Sequence, residues 1–435
     1  MAVALIKREK SSNSVQRAID LCEGLRSLKN SDKVLIKPNL VMGADQKIIP
    51  PFGIVTTASI VEELVQVLRE KGCKDITIGE GSPVLKELGS NTTKAFKFSG
   101  LDRVAKEHNL KLIDFEAESF EKIELDGHPF QVAKRALETD FLINIPVLKT
   151  HGQTIVSLGM KNLKGCLKYS SKKRFHKSGN LEKLIALLNT HLNTQLTIID
   201  GTYTLERGPS TGGLAHRRDL IIASPDILDA DMVGAAVLGK NPSTIPHIKE
   251  FATQTNRSTD LNSIEIKGEK IEDVSDDLPW EPVPGSIFED FGLKGFHVAA
   301  AKGDISICSA CLGNMVFTHA MFAKDNPGID VGNIEICIGQ DSKASLNSEK
   351  VFLFGDCAIK ANKGLKNAIE LTGCPPDLGK YLPTLMSTIL KKSKVRKLML
   401  LRMIKMIGYK IGLYFEDFGL WEPYKSAEFD VNHYR

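Results

Sequence analysis

Five of the eight cysteines lie in the C-terminal third of the chain, in an arrangement that suits a metal centre. The arrangement opens with a Cys-Ser-Ala-Cys turn, and a turn of this kind directs two thiolates at one metal. The two later candidates each have a glycine close before them, which lets the backbone approach a metal centre. The last is followed by proline, as in bacterial ferredoxins. We therefore predict that one metal centre is ligated by Cys308, Cys311, Cys357 and Cys374.

The identity of the metal follows from the spacing of these ligands. Zinc sites usually bring two Cys-x-x-Cys knuckles, whereas one pair followed by distant single cysteines and a Cys-Pro ending is more typical of an iron–sulfur cluster. A [4Fe–4S] cluster is the leading expectation, and Zn²⁺ is the alternative. Ordinary core cysteines are a third interpretation. A redox dithiol at Cys308 and Cys311 is a fourth, but it leaves the other cysteines unexplained.

The fifth cysteine of this region is predicted to lie outside the metal centre. Cys337 belongs to the run Ile334-Glu-Ile-Cys-Ile338, in which the alternation of a strand would bury it as a small apolar side chain.

Charged and amide side chains recur at the ends of apolar strand candidates in the first half of the chain. In an open parallel sheet, ligands bind in the crevice outside the carboxyl ends of the strands. Lysines and amides in such a crevice suit an anion such as a carboxylate or a phosphate, and glycine-rich turns offer backbone N–H groups to the same ligand. We predict that the crevice, and with it any catalysis, involves Lys37, Glu80, Lys149, His151 and Lys161.

Three aspartates offer a weaker hypothesis. Asp226 precedes a helical pattern, where a carboxylate favours the positive end of the helix dipole. Asp231 lies deeper in that pattern and needs a partner if it is buried. Together with Asp200 at a strand end, the two could form a carboxylate patch for a divalent cation.

These polar runs also carry a resemblance to a known family. Five ordered blocks between about residues 32 and 245 resemble the DUF362 family: Val34-Leu-Ile-Lys-Pro-Asn-Leu40, Asn144-Ile-Pro-Val-Leu-Lys-Thr-His151, Gly159-Met-Lys-Asn-Leu-Lys-Gly165, Ile199-Asp-Gly201 and the stretch from Asp226 to Gly239. The resemblance implies an iron–sulfur protein, commonly with ferredoxin-like cysteines in its C-terminal part. This chain departs from the doubled Cys-x-x-Cys-x-x-Cys ferredoxin pattern, so the resemblance implies a single cluster of its own kind. The family name records a domain of unknown function and implies no reaction.

The elements that must position these residues alternate between strands and helices. The predicted strands are 34–37, 75–79, 140–145, 196–200, 220–223, 305–307, 334–336 and 351–354. A helix is expected after Thr56-Thr57, another from about Leu181, and a third after Ser224-Pro225, with Ser224 as N-cap and proline at the first helical position. Strands separated by helices predict an α/β fold, a mostly parallel sheet flanked by helices.

The chain divides into two predicted domains. Residues 1–270 form the α/β domain, the acidic and proline-containing stretch 271–295 forms a linker or surface loop, and residues 296–435 form a cysteine-bearing C-terminal α/β domain with a terminal basic helix. That helix, over 381–415, carries eight Lys/Arg between Lys391 and Lys410, interleaved with apolar residues. We predict that its apolar stripe packs on the protein itself; docking on a membrane surface or a partner is the alternative.

Composition excludes several classes of protein. Of 435 residues, 42% are hydrophobic and 25% charged, which excludes wholesale disorder. The net charge of +4 and an aromatic content of 6% argue against a nucleic-acid binder. No apolar run reaches the roughly 18 residues of a membrane span, and the first residues do not read as a secretory signal. We therefore expect a cytoplasmic protein, where thiols stay reduced.

These observations together predict an iron–sulfur protein. One [4Fe–4S] cluster would serve electron transfer, or an oxidoreductase acting on an anionic small molecule, with a redox protein as a further partner. The alternative is a non-redox ligase or transferase that acts on a carboxylate or phosphate and carries structural zinc.

Overall fold

The chain folds into two compact units in the computed structural model. The first unit comprises Met1–Trp280 and Tyr424–Arg435, and the second comprises Glu281–Pro423. The structure describes residues 2–9, 13–47, 49–81, 90–177, 180–210, 213–281, 288–289, 291–299, 307–345, 348–366, 368–391, 394–395, 397–398 and 421–431. The division falls within the predicted linker 271–295, and the last residues of the chain belong to the first unit.

The first unit is built on one large sheet. Its strands, with the separate hairpin β5–β6, are β1 (Val3–Lys7), β2 (Val34–Pro38), β3 (Ile76–Glu80), β4 (Lys111–Asp114), β5 (Phe120–Leu125), β6 (His128–Ala133), β7 (Phe141–Ile145), β8 (Val147–His151), β9 (Ile155–Val156), β10 (Thr194–Gly208), β11 (Ala215–Ser224) and β12 (Ile266–Gly268). The order along the sheet is β12-β1-β11-β10-β7-β2-β3-β4, and β8 extends it by pairing with β10 and β9. The strands β7, β2, β3 and β4 are parallel neighbours. The prediction of a mostly parallel α/β sheet is therefore confirmed.

Helices flank this sheet and bury their apolar faces. They are α1 (Ser14–Cys22), α2 (Ala58–Glu70), α3 (Thr92–Ser99), α4 (Leu101–Glu107), α5 (Lys134–Glu138), α6 (Gly159–Asn162), α7 (Tyr169–Lys177), α8 (Leu181–His191), α9 (Ile227–Val237), α10 (Pro246–Gln254) and α11 (Ile271–Val274). The helices predicted after Thr56-Thr57 and from about Leu181 are α2 and α8, which begin at Ala58 and Leu181. The prediction that Ser224 caps the third helix is wrong, because β11 continues through Ser224 and the Asp226 carboxylate caps α9 by accepting from Leu228 N and Asp229 N.

The second unit has its own parallel sheet. The strands β13 (Lys294–Ala299), β14 (Asp330–Ile338), β15 (Lys350–Phe354) and β16 (Ala368–Leu371) lie in that order, and every neighbouring pair is parallel. The helices are α12 (Ser309–Asp325), α13 (Asp356–Ala361) and α14 (Leu378–Ile389). A buried apolar cluster that includes Phe296, Ile336, Phe352 and Tyr381 forms the core of this unit. Most of the predicted strand 305–307 lies outside the described residues.

No described helix combines the length and apolar character needed to cross a bilayer. The predicted terminal helix is described over Leu378–Ile389, and most of its basic stretch from Lys391 to Lys410 lies outside the described residues.

Candidate functional site

Lys37 and Glu80 form a buried ion pair at the carboxyl edge of the large sheet. The strands β2 and β3 are parallel neighbours, so their ends meet at this edge. The Lys37 ammonium donates to Glu80 Oε2 at 2.8 Å and to the Pro38 carbonyl at 2.7 Å. Glu80 also accepts from the backbone N–H groups of Leu40 and Gly81. Because the two buried charges neutralise each other, the pair fixes the edge of the sheet and is not a direct ligand for an anion.

Lys149 lies in the same neighbourhood but is solvated by neutral oxygens. It sits inside β8, not in a loop after β7. Its ammonium donates to Asn39 Oδ1 at 2.7 Å, to the Ile54 carbonyl at 2.8 Å and to the Pro209 carbonyl at 3.2 Å. Burial lowers the pKa of Lys149 to about 7, and the carboxylates of Asp200 and Glu80 offset part of that effect. Lys149 is therefore a buried group poised between its charged and neutral forms.

Three asparagines join the sequence blocks that end at this edge. Asn39 donates to Asn162 Oδ1 at 2.8 Å, and Asn162 donates to Asn144 Oδ1 at 2.8 Å. Asn39 follows Lys37-Pro38, Asn144 lies in β7 and Asn162 lies in α6, so one chain of amides ties three separate parts of the sequence together. All three amides are buried, and this network explains why polar residues interrupt these apolar strands.

His151 belongs to a hydrogen-bonded chain that runs through the backbone and side chain of Gln153 to His176 and Lys164. Its Nδ1 accepts from the backbone N–H of Gln153 at 3.0 Å, which assigns the proton of the neutral ring to Nε2. Lys164 lies 2.9 Å from His176 Nε2, and His176 Nδ1 lies 3.1 Å from Gln153 Oε1. An ammonium can only donate, so His176 accepts at Nε2 and donates from Nδ1.

Lys161 completes this set from the helical turn that carries Lys164. The two lysines are three residues apart on the continuous helical stretch of α6 and the 3₁₀ turn Leu163–Cys166, so they share a face. Burial lowers the pKa of Lys161 well below its usual range, and the charges of Lys164 and Lys149 add to the effect. Burial likewise lowers the pKa of His151, and Lys161, Lys164 and Lys149 act in the same direction.

The three aspartates act as caps and N–H acceptors. Asp231 accepts from the N–H groups of Gly159 at 2.6 Å and Met160 at 2.8 Å, which anchors the start of α6. Burial raises the pKa of Asp231 to about 7, although these hydrogen bonds oppose the effect. Asp200 accepts from Thr57 N and Thr202 N, and Asp226 caps α9 and pairs with Arg257. Within the described residues, these carboxylates do not form a cation site.

The structure brings Lys37, Glu80, Lys149, His151 and Lys161 to one edge of the first unit. Sequence reasoning missed Gln153, Lys164 and His176. Lys164 could have been found from its three-residue spacing to Lys161. His176 had no such signal, because its partner Gln153 lies 23 positions earlier in the chain.

The predicted cysteine ligands lie on three segments of the second unit. Cys308 and Cys311 are at the start of α12, Cys357 is at the start of α13, and Cys374 follows β16. The last two segments are joined by hydrogen bonds from Asp356 N to the Gly373 carbonyl at 3.0 Å and from Gly373 N to Asp356 Oδ1 at 2.7 Å. Asn314 of α12 donates to the Pro376 carbonyl at 3.0 Å, which joins α12 to the segment that carries Cys374.

The side chains of these cysteines are neighbours. A hydrogen bond with Cys308 raises the pKa of the buried Cys311 thiol, and burial and the nearby thiols of Cys308, Cys374 and Cys357 raise it further. Among the described residues, no three His, Cys, Asp or Glu side chains are grouped closely enough to hold a single metal ion. The metal centre therefore stays a prediction.

Cys337 lies in a different environment from these four. It is fully buried in β14, in a small apolar cluster with Val351, Leu353 and Ala358. Burial raises the pKa of its thiol to about 11, and a hydrogen bond with Ser342 offsets part of the effect.

The fold and the site define a two-unit α/β protein with a buried lysine–histidine cluster in its first unit and a cysteine cluster in its second. Residues 34–236 match the family described as Domain of unknown function (DUF362), so this part of the chain is a DUF362 domain. The resemblance read from the sequence blocks is confirmed.

A relative and a solved structure are similar to this chain. Thylakoid-associated protein sll1697 of Synechocystis sp. (strain ATCC 27184 / PCC 6803 / Kazusa) is 27% identical over 224 residues, which is 50% of this chain and 67% of that protein. The lactate racemase apoprotein from Thermoanaerobacterium thermosaccharolyticum has a TM-score of 0.34 at 13% identity, over 77% of this chain and 69% of that one.

Proposed function

We propose that the protein is an iron–sulfur protein that holds one [4Fe–4S] cluster through Cys308, Cys311, Cys357 and Cys374. The observation that carries the proposal is that hydrogen bonds join the three cysteine-bearing segments, and that the thiols of Cys308, Cys357 and Cys374 lie near enough to act on the pKa of Cys311. Four thiolates are the ligand set of a cubane cluster. A cubane spreads its ligands around a larger body than one ion does, so its thiolates need not lie within reach of a single ion.

The backbone around the thiols also suits a bulky group. Gly355 has a φ of 91°, in the region that favours glycine, and a Cβ there would lie 3.5 Å from Cys311 Sγ. A side chain at this position would therefore extend toward the thiols. Glycine keeps that space available and lets the backbone approach the centre closely.

The cluster would supply one-electron transfer. The residues of the first unit would supply the binding of an anionic small molecule, whose charge is met by the lysines and histidines at the edge of the large sheet. The protein would transfer electrons, or carry out redox chemistry on such an anion, and would exchange electrons with a redox partner protein.

Metal and sulfide analysis of protein purified without oxygen tests the proposal. We expect about four iron and four sulfide per chain, a brown colour and broad visible absorption. Cys374→Ser should lose most of the iron. Cys337→Ser is the matched control and should keep it, because Cys337 lies in a separate apolar cluster.

A colourless protein that holds one zinc would overturn the proposal. That result would favour a ligase or transferase with a structural metal. Iron that is retained in Cys374→Ser and lost in Cys337→Ser would overturn the choice of ligands.

The proposal includes a cytoplasmic location, where the thiols stay reduced before the cluster is inserted. The Synechocystis relative is named for its association with thylakoids. Fractionation of cells that express this chain distinguishes the two, since recovery with washed membranes would contradict a cytoplasmic location.

A further inference from the structure

His151 presents a buried donor that has no acceptor. Its ring is 1% exposed, and Nε2 has no hydrogen-bond partner among the described residues. Nδ1 already accepts from Gln153 N, so the neutral ring carries its proton on Nε2. A buried N–H group without an acceptor destabilises the fold, and such groups are rare unless a ligand, an ion or a water molecule completes them.

The surroundings of this donor are cationic. Lys161 makes no hydrogen bond or ion pair with the described residues, while Lys164 is held by His176, which is held in turn by Gln153. The groups that act on the pKa of His151 are Lys161, Lys164, Lys149 and His176, all of them basic. His247 lies within the influence of Lys161 and is buried with both ring nitrogens unpartnered. Among the carboxylates, Glu80 pairs with Lys37, Asp200 and Glu80 act on Lys149, and Glu182 of α8 lies within the influence of Lys164.

We propose that His151, Lys161 and Lys164 form a binding site for a phosphate group, with His176 and Gln153 as positioning residues. The inference rests on the anion-binding part of the proposed function and names the class of anion. A phosphate offers several oxygens and up to two negative charges, whereas a carboxylate offers two oxygens and one charge. Two ammonium groups and one imidazole N–H match the phosphate better. Lys161 and His176 are half-buried, so the site opens toward solvent at these residues.

The hydrogen bonds that join Lys164, His176, Gln153 and His151 determine which ring nitrogen of His151 is the donor. Lys164 sets the tautomer of His176, His176 fixes the Gln153 amide, and the Gln153 backbone sets the tautomer of His151. A bound anion also stabilises the protonated forms of Lys161 and His151, so binding should take up protons from the buffer.

Titration calorimetry of the full chain with inorganic phosphate, methyl phosphate and acetate tests the inference. We expect one of the two phosphates to bind at least about tenfold more tightly than acetate, with an enthalpy that depends on the ionisation enthalpy of the buffer. Tighter inorganic phosphate identifies the free ion as ligand, and equal or tighter methyl phosphate identifies a phosphate monoester.

Lys161→Met and His151→Phe should each weaken phosphate at least about tenfold. Lys173→Met is the matched control on α7, because Lys173 is exposed on the same helix as His176 and the substitution removes the same charge. Affinity equal for acetate and phosphate, no binding of phosphate, or equal loss in Lys173→Met would overturn the inference. Iron content is measured on the same samples, so failure of the phosphate site with an intact cluster leaves the iron–sulfur proposal standing.

Discussion

At the residue scale, Lys37 and Lys149 are both fully buried but have different kinds of hydrogen-bond partner. Lys37 faces a carboxylate and forms an ion pair, whereas Lys149 faces an amide oxygen and two carbonyls. Neutral oxygens offset less of the free energy needed to remove an ammonium group from water than a carboxylate does. The pKa of Lys149 therefore falls to about 7.

The stability of the first unit should depend on pH through Lys149. In the unfolded chain this lysine keeps its proton up to about its usual pKa of 10.5, and in the folded chain it loses it near 7. The unfolded state therefore binds more protons between these values, so the free energy of unfolding should rise with pH in this window. The cost of the buried charge is complete below pH 7 and absent above 10.5.

Lys149→Met removes this titration. As pH rises from 6 to 11, the free energy of unfolding of the natural chain should rise by roughly 3–5 kcal/mol relative to that of Lys149→Met, because only the natural chain loses a buried charge. Denaturant unfolding followed by tryptophan fluorescence measures this difference. Both proteins also carry Trp421→Phe, so that the signal comes from Trp280 in the first unit. A difference that stays constant with pH would show that Lys149 keeps an ordinary pKa.

Sequence spacing located Lys37, Glu80, Lys149, His151 and Lys161 at one edge but could not assign their partners. All five were predicted as lining groups. Lys37 and Glu80 neutralise each other, and that pairing joins residues 43 positions apart through the register of two strands. The spacing between charged residues carries no record of such a register, so the ligand-facing groups could be separated from the structural ones only in three dimensions.

At the element scale, the 3₁₀ turn Leu163–Cys166 lies directly over the buried ion pair. A Cβ at Gly165 would lie 2.5 Å from both Lys37 Nζ and Glu80 Oε1. Real side chains do not approach so closely, and the ion pair cannot move aside without losing its buried partners. The turn that carries Lys164 therefore owes its position to a glycine.

Gly165→Ala should destabilise the first unit by about 1–3 kcal/mol, because it forces the turn away from the sheet edge. The Trp280 signal in denaturant measures the change. Gly313→Ala is the control, since a Cβ there meets nothing within 4 Å. Equal stability of Gly165→Ala and the natural chain would mean that the turn shifts freely.

Elements with a clear period were predictable, and elements created by tertiary pairing were not. The strands β2, β3 and β7 match apolar runs in the sequence. Strand β10 extends far beyond the predicted 196–200, because Asp200-Gly201 reads locally as a turn while pairing with β11 continues through a register shift between Gly201 and Tyr203. Strand β8 was likewise hidden behind Pro146.

At the scale of the whole molecule, the chain returns to its first unit after completing the second. Tyr424 accepts from the Ala215 N–H at 2.9 Å, and Tyr203 donates to the Glu428 carbonyl at 3.0 Å. Phe429 lies 5.1 Å from Phe52 and 5.6 Å from Tyr203, measured between ring centroids. Nothing in the local sequence of this short segment predicts that return, because its partners lie more than 200 residues earlier.

Removing this segment should destabilise the first unit. Deletion of residues 421–435 exposes the rings of Phe52 and Tyr203 and leaves the Ala215 N–H and the Tyr203 hydroxyl without their partners. We expect a loss of about 2–5 kcal/mol, since a large apolar contact and two hydrogen bonds go together. Full-length Trp421→Phe is the reference, with Trp280 fluorescence as the probe. In the full-length chain, Phe429→Leu should lose less stability than Phe429→Ala, because leucine keeps part of the apolar contact with Phe52. If the deletion variant unfolds at the same denaturant concentration as the reference, residues 421–435 contribute nothing to the free energy of unfolding of the first unit, and the contacts of Tyr424 and Phe429 do not stabilise it.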